Sequence, residues 1–263
     1  MPDIDKIRHY FAELIKGPAV VAFSGGADSV LVLKLMLDAA GDRFPVYAVY
    51  ADTPWMPRSA LSEAREIARG LKAEFQVIRI DSPDSIGIKL NPPDRCYRCK
   101  GAIFSLLKQF AAEHHCTHLL EGTQLDDLTK YRPGLKAIAE SGALSPLKEL
   151  ELHKSDVREL LSQLGLAVAK KPAGSCLATR LPYNRELSLD ILRRIDEAEE
   201  RLRQFDLGTI RVRSHGDIAR IEVDKDRLIK AADLSEKIIE ELKPLGWKYI
   251  TLDLQGFRSG SMD

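Results

Sequence analysis

The sequence predicts an α/β protein, an open parallel sheet flanked by helices and followed by a small C-terminal α+β domain. Three observations carry that reading. Short β-branched runs alternate with helical periods over the first two thirds of the chain, the pattern of a parallel sheet with helical crossovers. The last third changes to an α-β-β-α-β rhythm. A loop rich in serine and glycine, Ser24-Gly25-Gly26-Ala27-Asp28-Ser29, joins the first strand to the helix behind it.

Taken in order, residues 19–23 (AVVAF) read as a compact strand between Pro18 and the glycine loop. Residues 29–40 (SVLVLKLMLDAA) are too long and too rich in leucine and alanine for a strand and predict a helix. Strands are expected at 46–50, 75–80 and 118–120. A helix over 59–71 places Leu61, Ala64, Ile67 and Leu71 on one face, and another is expected around 100–114. In the tail, Leu192, Ile195, Ala198, Leu202 and Phe205 form one stripe of a helix over 188–205. Period-2 alternation marks strands at 209–214, 218–223 and 248–254, with a helix at about 225–242. Pro182 and Asn184 break the pattern between the two regions, so domains of 1–182 and 183–263 are expected.

Composition narrows the function classes. The 263 residues are 44% hydrophobic and 30% charged, with 39 Lys+Arg balanced by 39 Asp+Glu, which argues against a disordered chain. A zero net charge gives no global basic field for nucleic acid, though a local stripe stays open. No apolar stretch reaches the ~18 residues of a membrane span. The opening MPDIDKIRHYF carries mixed charge and no apolar core, so no secretory signal is expected and a cytoplasmic setting is. The four cysteines, Cys96, Cys99, Cys116 and Cys176, are then poor candidates for a disulfide framework, and the Cys-x-x-Cys pair points to metal or redox chemistry.

The glycine loop has two readings. Gly25 and Gly26 allow a tight turn and close approach of a ligand, and the following helix offers unpaired N–H groups to phosphate oxygens. Alternatively, Asp28 and Ser29 simply cap the helix. The loop lacks the Lys-Ser/Thr ending of a Walker loop and the third glycine of a dinucleotide fingerprint. After the fourth strand comes Glu121-Gly122-Thr123-Gln124-Leu125-Asp126-Asp127. Its adjacent carboxylates, Asp126 and Asp127, suit a hydrated Mg²⁺ bridging phosphates, or else cap the next helix.

The hexapeptide resembles the SGGxDS loop of the ATP pyrophosphatase, or PP-loop, family, whose members cleave ATP to AMP and pyrophosphate. That resemblance implies a fold of the adenine nucleotide alpha hydrolase-like type. It also implies an ATP site of Ser24, Gly25, Gly26, Asp28, Ser29, Gly122, Thr123 and Asp126. Further segments narrow the family: 91–100 (NPPDRCYRCK), Tyr131-Arg132-Pro133-Gly134, Ser145-Pro146-Leu147, 171–180 (KPAGSCLATR) and 256–262 (GFRSGSM). Together they are similar to the LarE-type sulfurtransferases of nickel-pincer nucleotide synthesis, over nearly the whole chain. One departure is Lys130, where the resemblance implies an acidic residue. The resemblance implies ATP, Mg²⁺ and a small mononucleotide substrate, pyridinium biscarboxylic acid mononucleotide; the neutral charge and the lack of a long apolar stretch lead us to expect no nucleic-acid or membrane partner. The resemblance also implies a homo-oligomer.

Sulfur chemistry explains the remaining candidates. A carboxylate resists attack until adenylation turns its oxygen into a leaving group, AMP, which a sulfur nucleophile then displaces. Cys176, in a Pro/Gly/Ser loop near Lys170, Lys171 and Arg180, is the expected sulfur position. By family resemblance, Cys176 either surrenders its sulfur or joins Cys96 and Cys99 in holding a [4Fe-4S] cluster, and the cluster is the expectation here. A zinc site drawing on His114, His115, Cys116 or His118, or free thiols, are the rival readings; Cys116 reads as core. Arg211 and Arg213 project from one strand face at roughly 7 Å spacing, fit to hold a phosphate or simply to pair with Glu222 as a solvated face. The resemblance favours substrate and adds Glu200, with Thr179 and Arg180 as further candidates.

Overall fold

The computed structural model describes residues 3–129, 133–171, 174–258 and 260–262. Lys130, Tyr131, Arg132, Pro172, Ala173 and Ser259, which belong to motifs quoted above, lie outside the described residues. The chain forms two compact units. The first takes in Met1–Thr53, Arg58–Ile80 and Asp94–Gly174, and the second Pro54–Pro57, Asp81–Pro93 and Ser175–Asp263.

The first unit opens with α1 (Ile4–Leu14), whose cap Asp3 accepts from the backbone N–H groups of Asp5 and Lys6. Next come β1 (Ala19–Ala22), α2 (Ala27–Ala40), β2 (Val46–Asp52), α3 (Arg58–Gly70) and β3 (Glu74–Arg79). They are followed by α4 (Arg95–Glu113), β4 (His118–Leu120), α5 (Pro133–Ser141), α6 (Pro146–Glu149) and α7 (Lys154–Gln163). All four strands pair in parallel in the order β3-β2-β1-β4. The strand order reverses between β1 and β4, which is where such sheets form a ligand crevice. β1 is the continuous apolar run of a central strand, and Ala19, Val20 and Val21 are fully buried. α2 is buried nearly all round through Val30, Leu31, Val32, Leu33, Leu35 and Met36, so it belongs to the core and not to a surface. α3 is amphipathic and buries only Ala64 and Ala68.

In the second unit, α8 (Leu189–Leu202) buries Leu192, Ile195, Ala198 and Leu202, the stripe expected from the sequence. It is followed by β5 (Arg211–His215), β6 (Ile218–Glu222), α9 (Leu228–Asp233), α10 (Ser235–Leu242) and β7 (Tyr249–Leu252). β5 and β6 are antiparallel and β6 and β7 parallel. Val212, Ala219, Ile221 and Trp247 are buried with the helix stripe. The single helix expected at 225–242 is divided at Leu234.

This second unit begins at Ser175, ahead of the boundary read from Pro182, and two short segments from earlier in the chain belong to it. Hydrogen bonds are the reason. Leu177 N donates to Trp55 O at 2.7 Å, and Leu187 N to Lys89 O at 2.7 Å. Asn91, fully buried, donates through Nδ2 to the carbonyls of Ala178, Leu181 and Pro182.

Candidate active site

The glycine loop lies between β1 and α2 and is shaped by its own hydroxyls. Ser29, buried, donates from Oγ to Gly26 O at 3.0 Å and accepts from Ser24 N at 3.2 Å. Gly25 has φ +69°, and a Cβ there would stand 3.0 Å from the Cα of Ala64 on α3, so both the turn and the packing require glycine. Gly26 precedes α2 with no side-chain cap, leaving the first amides of a 14-residue helix without a side-chain acceptor.

Gly122, after β4, packs against the glycine loop. A Cβ on it would lie 2.9 Å from Ser29 N and 3.0 Å from Asp28 C, so its absence lets the acidic segment lie against the loop. Thr123 turns inward: both its N and its Oγ1 donate to Glu121 Oε2, at 2.9 and 2.7 Å. Glu121 Oε1 accepts from Ser145 Oγ, which gives the Ser-Pro-Leu segment its role.

The two adjacent aspartates are not brought together. Asp127 is buried, and its Oδ2 accepts from Gln124 N to close a capping box. Asp126 accepts from Lys154 N at 2.8 Å and from His153 Nδ1 at 2.6 Å, at the start of α7. The bond to Asp126 raises the His153 imidazole above its usual value. Lys154 is the residue that sequence reading missed. Its Nζ reaches both oxygens of Asp28, at 2.7 and 2.6 Å, while its backbone N–H meets Asp126. Lys171 adds a second cation, 2.8 Å from Glu63 and donating to Gly25 O at 3.3 Å. Two buried hydroxyls end β2, Tyr50 OH and Thr53 Oγ1, with no hydrogen-bond partner among the described residues. Burial and the nearby Asp52 push the Tyr50 phenol up to about 12.

Cys96 and Cys99 sit in the opening turns of α4, earlier than the helix start read from sequence, at a spacing that puts them on one face. Gly134 of the Tyr-Arg-Pro-Gly segment lets α5 approach that turn, since a Cβ would stand 3.0 Å from Lys100 Cγ. Cys116 is half-buried, and burial pushes its thiol up to about 11, in keeping with a packing role. Among the described residues, no three His, Cys, Asp or Glu side chains stand together as a preformed metal site.

In the second unit, Cys176 is half-buried and precedes a short 3₁₀ turn, Leu177–Arg180. Its carbonyl accepts from Thr179 Oγ1 at 2.8 Å and Arg180 Nη1 at 3.3 Å, while no hydrogen bond involves its Sγ among the described residues. Arg180 is only 1% exposed. It donates to Glu199 Oε1 and Oε2 at 2.7 and 3.0 Å, and to Ser175 Oγ and Thr179 Oγ1 at 2.7 and 2.6 Å. Geometry therefore makes Arg180 and Thr179 the frame of the cysteine loop, with every guanidinium nitrogen of Arg180 engaged in it. Glu200, expected at the site, is exposed and pairs with Arg203. Its neighbour Glu199 is buried and bonds Arg180 and the backbone N of Val212.

The paired arginines also divide. Arg213 is buried, donating to Glu222 Oε2 from Nε and Nη2 at 3.1 and 2.8 Å and to Thr179 O from Nη1. Arg211 stands directly opposite Glu222 in the β5–β6 register, yet that carboxylate is turned to Arg213 and Arg220. Among the described residues, no carboxylate lies within ion-pair distance of Arg211. Burial, then the charges of Arg180 and Arg213, lower it to about 10.

No family model matches the chain. Individual relatives do. A pyridinium-3,5-bisthiocarboxylic acid mononucleotide synthase of Lactiplantibacillus plantarum is 40% identical over 243 residues, 92% of this chain and 88% of that one. An uncharacterised protein of Methanocaldococcus jannaschii is 32% identical over 255 residues, 97% and 96% of the two chains. One component chain of the glutamine-hydrolysing GMP synthase of Thermoplasma acidophilum is 27% identical over 206 residues, 73% of this chain and 66% of that one. The four-stranded parallel sheet with its glycine loop is of the PP-loop type. With its glycine loop, cysteine loop and small arginine-bearing sheet, the chain belongs to the LarE family of pyridinium-3,5-bisthiocarboxylic acid mononucleotide synthases.

Proposed function

We propose that the protein is an ATP-dependent sulfurtransferase that adenylates a carboxylate of pyridinium biscarboxylic acid mononucleotide and replaces oxygen by sulfur. The observation that carries this reading is the Cys176 loop: a half-buried thiol on a rigid arginine–glutamate frame, in a chain 40% identical to a synthase of the bisthiocarboxylic product.

In the first step the substrate carboxylate oxygen bonds to the α-phosphorus of ATP, and the bond to pyrophosphate breaks. The open amides of α2 and the ammonium of Lys154 stabilise the charge that develops on pyrophosphate. Until phosphate displaces it, Asp28 pairs with that ammonium. Asp28 and Asp126 offer hard oxygens that would hold Mg²⁺, which would supply positive charge against that of the phosphates, and Asp127 is engaged in its capping bond. In the second step sulfur bonds to the acyl carbon and AMP leaves with the bridging oxygen. Arg211 holds the mononucleotide's phosphate.

For the sulfur source we propose a [4Fe-4S] cluster on Cys96, Cys99 and Cys176. The donor set fits by chemistry, since all are thiols and two stand one helical turn apart. A cluster on three protein thiolates leaves one iron able to carry sulfide. Self-association through the small unit belongs to the same reading, because Ile218, Tyr249 and Leu254 are exposed apolar residues there.

Anaerobic reconstitution with iron and sulfide should give broad absorbance at the blue end of the visible range and about four irons per chain. The reconstituted protein should release pyrophosphate only when the pyridinium mononucleotide is present. A colourless, active protein whose Cys176 loses its sulfur in one turnover, leaving dehydroalanine, would replace the cluster by the sacrificial cysteine. Pyrophosphate release driven by tRNA or ammonia in place of the mononucleotide would overturn the substrate.

A further inference from the structure

Near the C-terminus, Phe257, Ser261 and Met262 lie against β6 and Arg211 of the small sheet. The chain turns at Gly256, whose φ is +70° and where a Cβ would stand 3.1 Å from Val223 O. Phe257 N then donates to Val223 O at 2.7 Å, anchoring the segment beside the end of β6. Further along, Ser261 Oγ donates to Glu222 Oε1 at 2.6 Å, and Arg220 Nη2 donates to the Met262 sulfur at 3.2 Å. Between these anchors the Phe257 ring lies under the Arg211 guanidinium, 5.3 Å from its centroid. Arg211 makes one hydrogen bond, from Nη1 to Ile210 O at 2.7 Å. One edge of the guanidinium is thus tied by the backbone and the Phe257 ring lies at cation–π distance, while its other donors have no partner among the described residues.

An unpaired arginine of this kind would ordinarily sample many rotamers, and a planar guanidinium loses less entropy on binding when it is already stacked. A ring at cation–π distance keeps the positive charge, supplies attraction and takes no N–H donor, so the unpartnered donors stay available to an anion. We propose that Phe257 is a positioning residue that fixes Arg211 for the anionic group of the mononucleotide, with Ser261 securing the segment through Glu222. The proposal rests on Arg211 as the phosphate anchor of the reaction proposed above.

The test compares Phe257→Leu, Phe257→Tyr and Arg211→Lys in the full chain, with steady-state kinetics in both substrates. Phe257→Leu keeps apolar bulk without a ring face, and should raise KM for the mononucleotide about tenfold. Its kcat and its KM for ATP should stay within about twofold. Phe257→Tyr should restore the wild-type KM. A normal KM in Phe257→Leu beside a raised KM in Arg211→Lys would overturn the positioning role alone. An equal rise of both KM values in Phe257→Leu would also overturn it, as general damage to the segment. Unchanged mononucleotide KM in Arg211→Lys would overturn the anchor and the proposal with it.

Discussion

Lys154 and Asp28 of the glycine-loop unit are 31% and 28% exposed and meet in a two-oxygen contact at the mouth of the loop. In the smaller unit Arg213 and Glu222 are 5% and 0% exposed and share their atoms with Arg220, Thr179 and Ser261. A half-wet ion pair contributes little to stability and exchanges readily, so it can give way to phosphate. A buried pair is costly to break, because the partner left behind is an uncompensated charge in low dielectric. The first arrangement suits binding and release; the second suits holding Cys176 and Arg211 at fixed places on one frame.

That contrast can be broken most forcefully at Glu222. Glu222→Ala removes the carboxylate partner of the buried Arg213, while Arg220 keeps Asp253, and should destabilise the small unit by about 3–5 kcal/mol, read in chemical denaturation. A loss below about 1 kcal/mol would mean that the buried frame is no stiffer than the open pair. Next in size, Lys154→Met should lower pyrophosphate release about 100-fold, the scale of removing one charge-stabilising donor. Its stability should change by no more than about 1 kcal/mol, since the pair is part-exposed. Large destabilisation with normal turnover would reverse the assignment of the two ion pairs.

Gly122→Ala forces a methyl group into the Asp28–Ser29 backbone and should cost about 1–3 kcal/mol while raising KM for ATP and not for the mononucleotide. Equal rises in both would detach Gly122 from the loop. The smallest effect is the proton on His153. Its bond to Asp126 raises the folded-state value, so the charged contact is fully present below the unfolded value of about 6.5. It is lost as pH rises through the raised folded value. An NMR titration of the His153 ring should therefore have its midpoint above about 6.5 and fall on Asp126→Asn. A midpoint unmoved by that substitution would remove His153 from the contact.

Much of this molecule is legible from local pattern. The apolar runs of β1 and β2, the long leucine-rich α2 and the α8 stripe all follow from periodicity, because burial on both faces or on one leaves a repeat in the sequence. The glycine loop is legible too, since only glycine suits a positive φ packed against Ala64. Partners distant in sequence are not. Lys154 meets Asp28 across 126 positions, and Asn91 reaches the cysteine loop across 87, with no local signal for either. Glu199 and Glu200 are equivalent in composition, and their helical phase about the α8 axis, about 100° per residue, sends one to Arg180 and the other to solvent.

By itself the sequence determined the strand–loop–helix entry to the parallel sheet, the residue types of the nucleotide and sulfur chemistry, and the family they resemble. Tertiary structure alone decided which of those charges are engaged. Period-2 spacing puts Arg211 and Arg213 on the same face, but the turn of one carboxylate makes Arg213 a buried strut and leaves Arg211 with no carboxylate in ion-pair distance among the described residues. Side-chain identity and spacing are local properties, whereas which donor finds which acceptor depends on elements that only folding brings together.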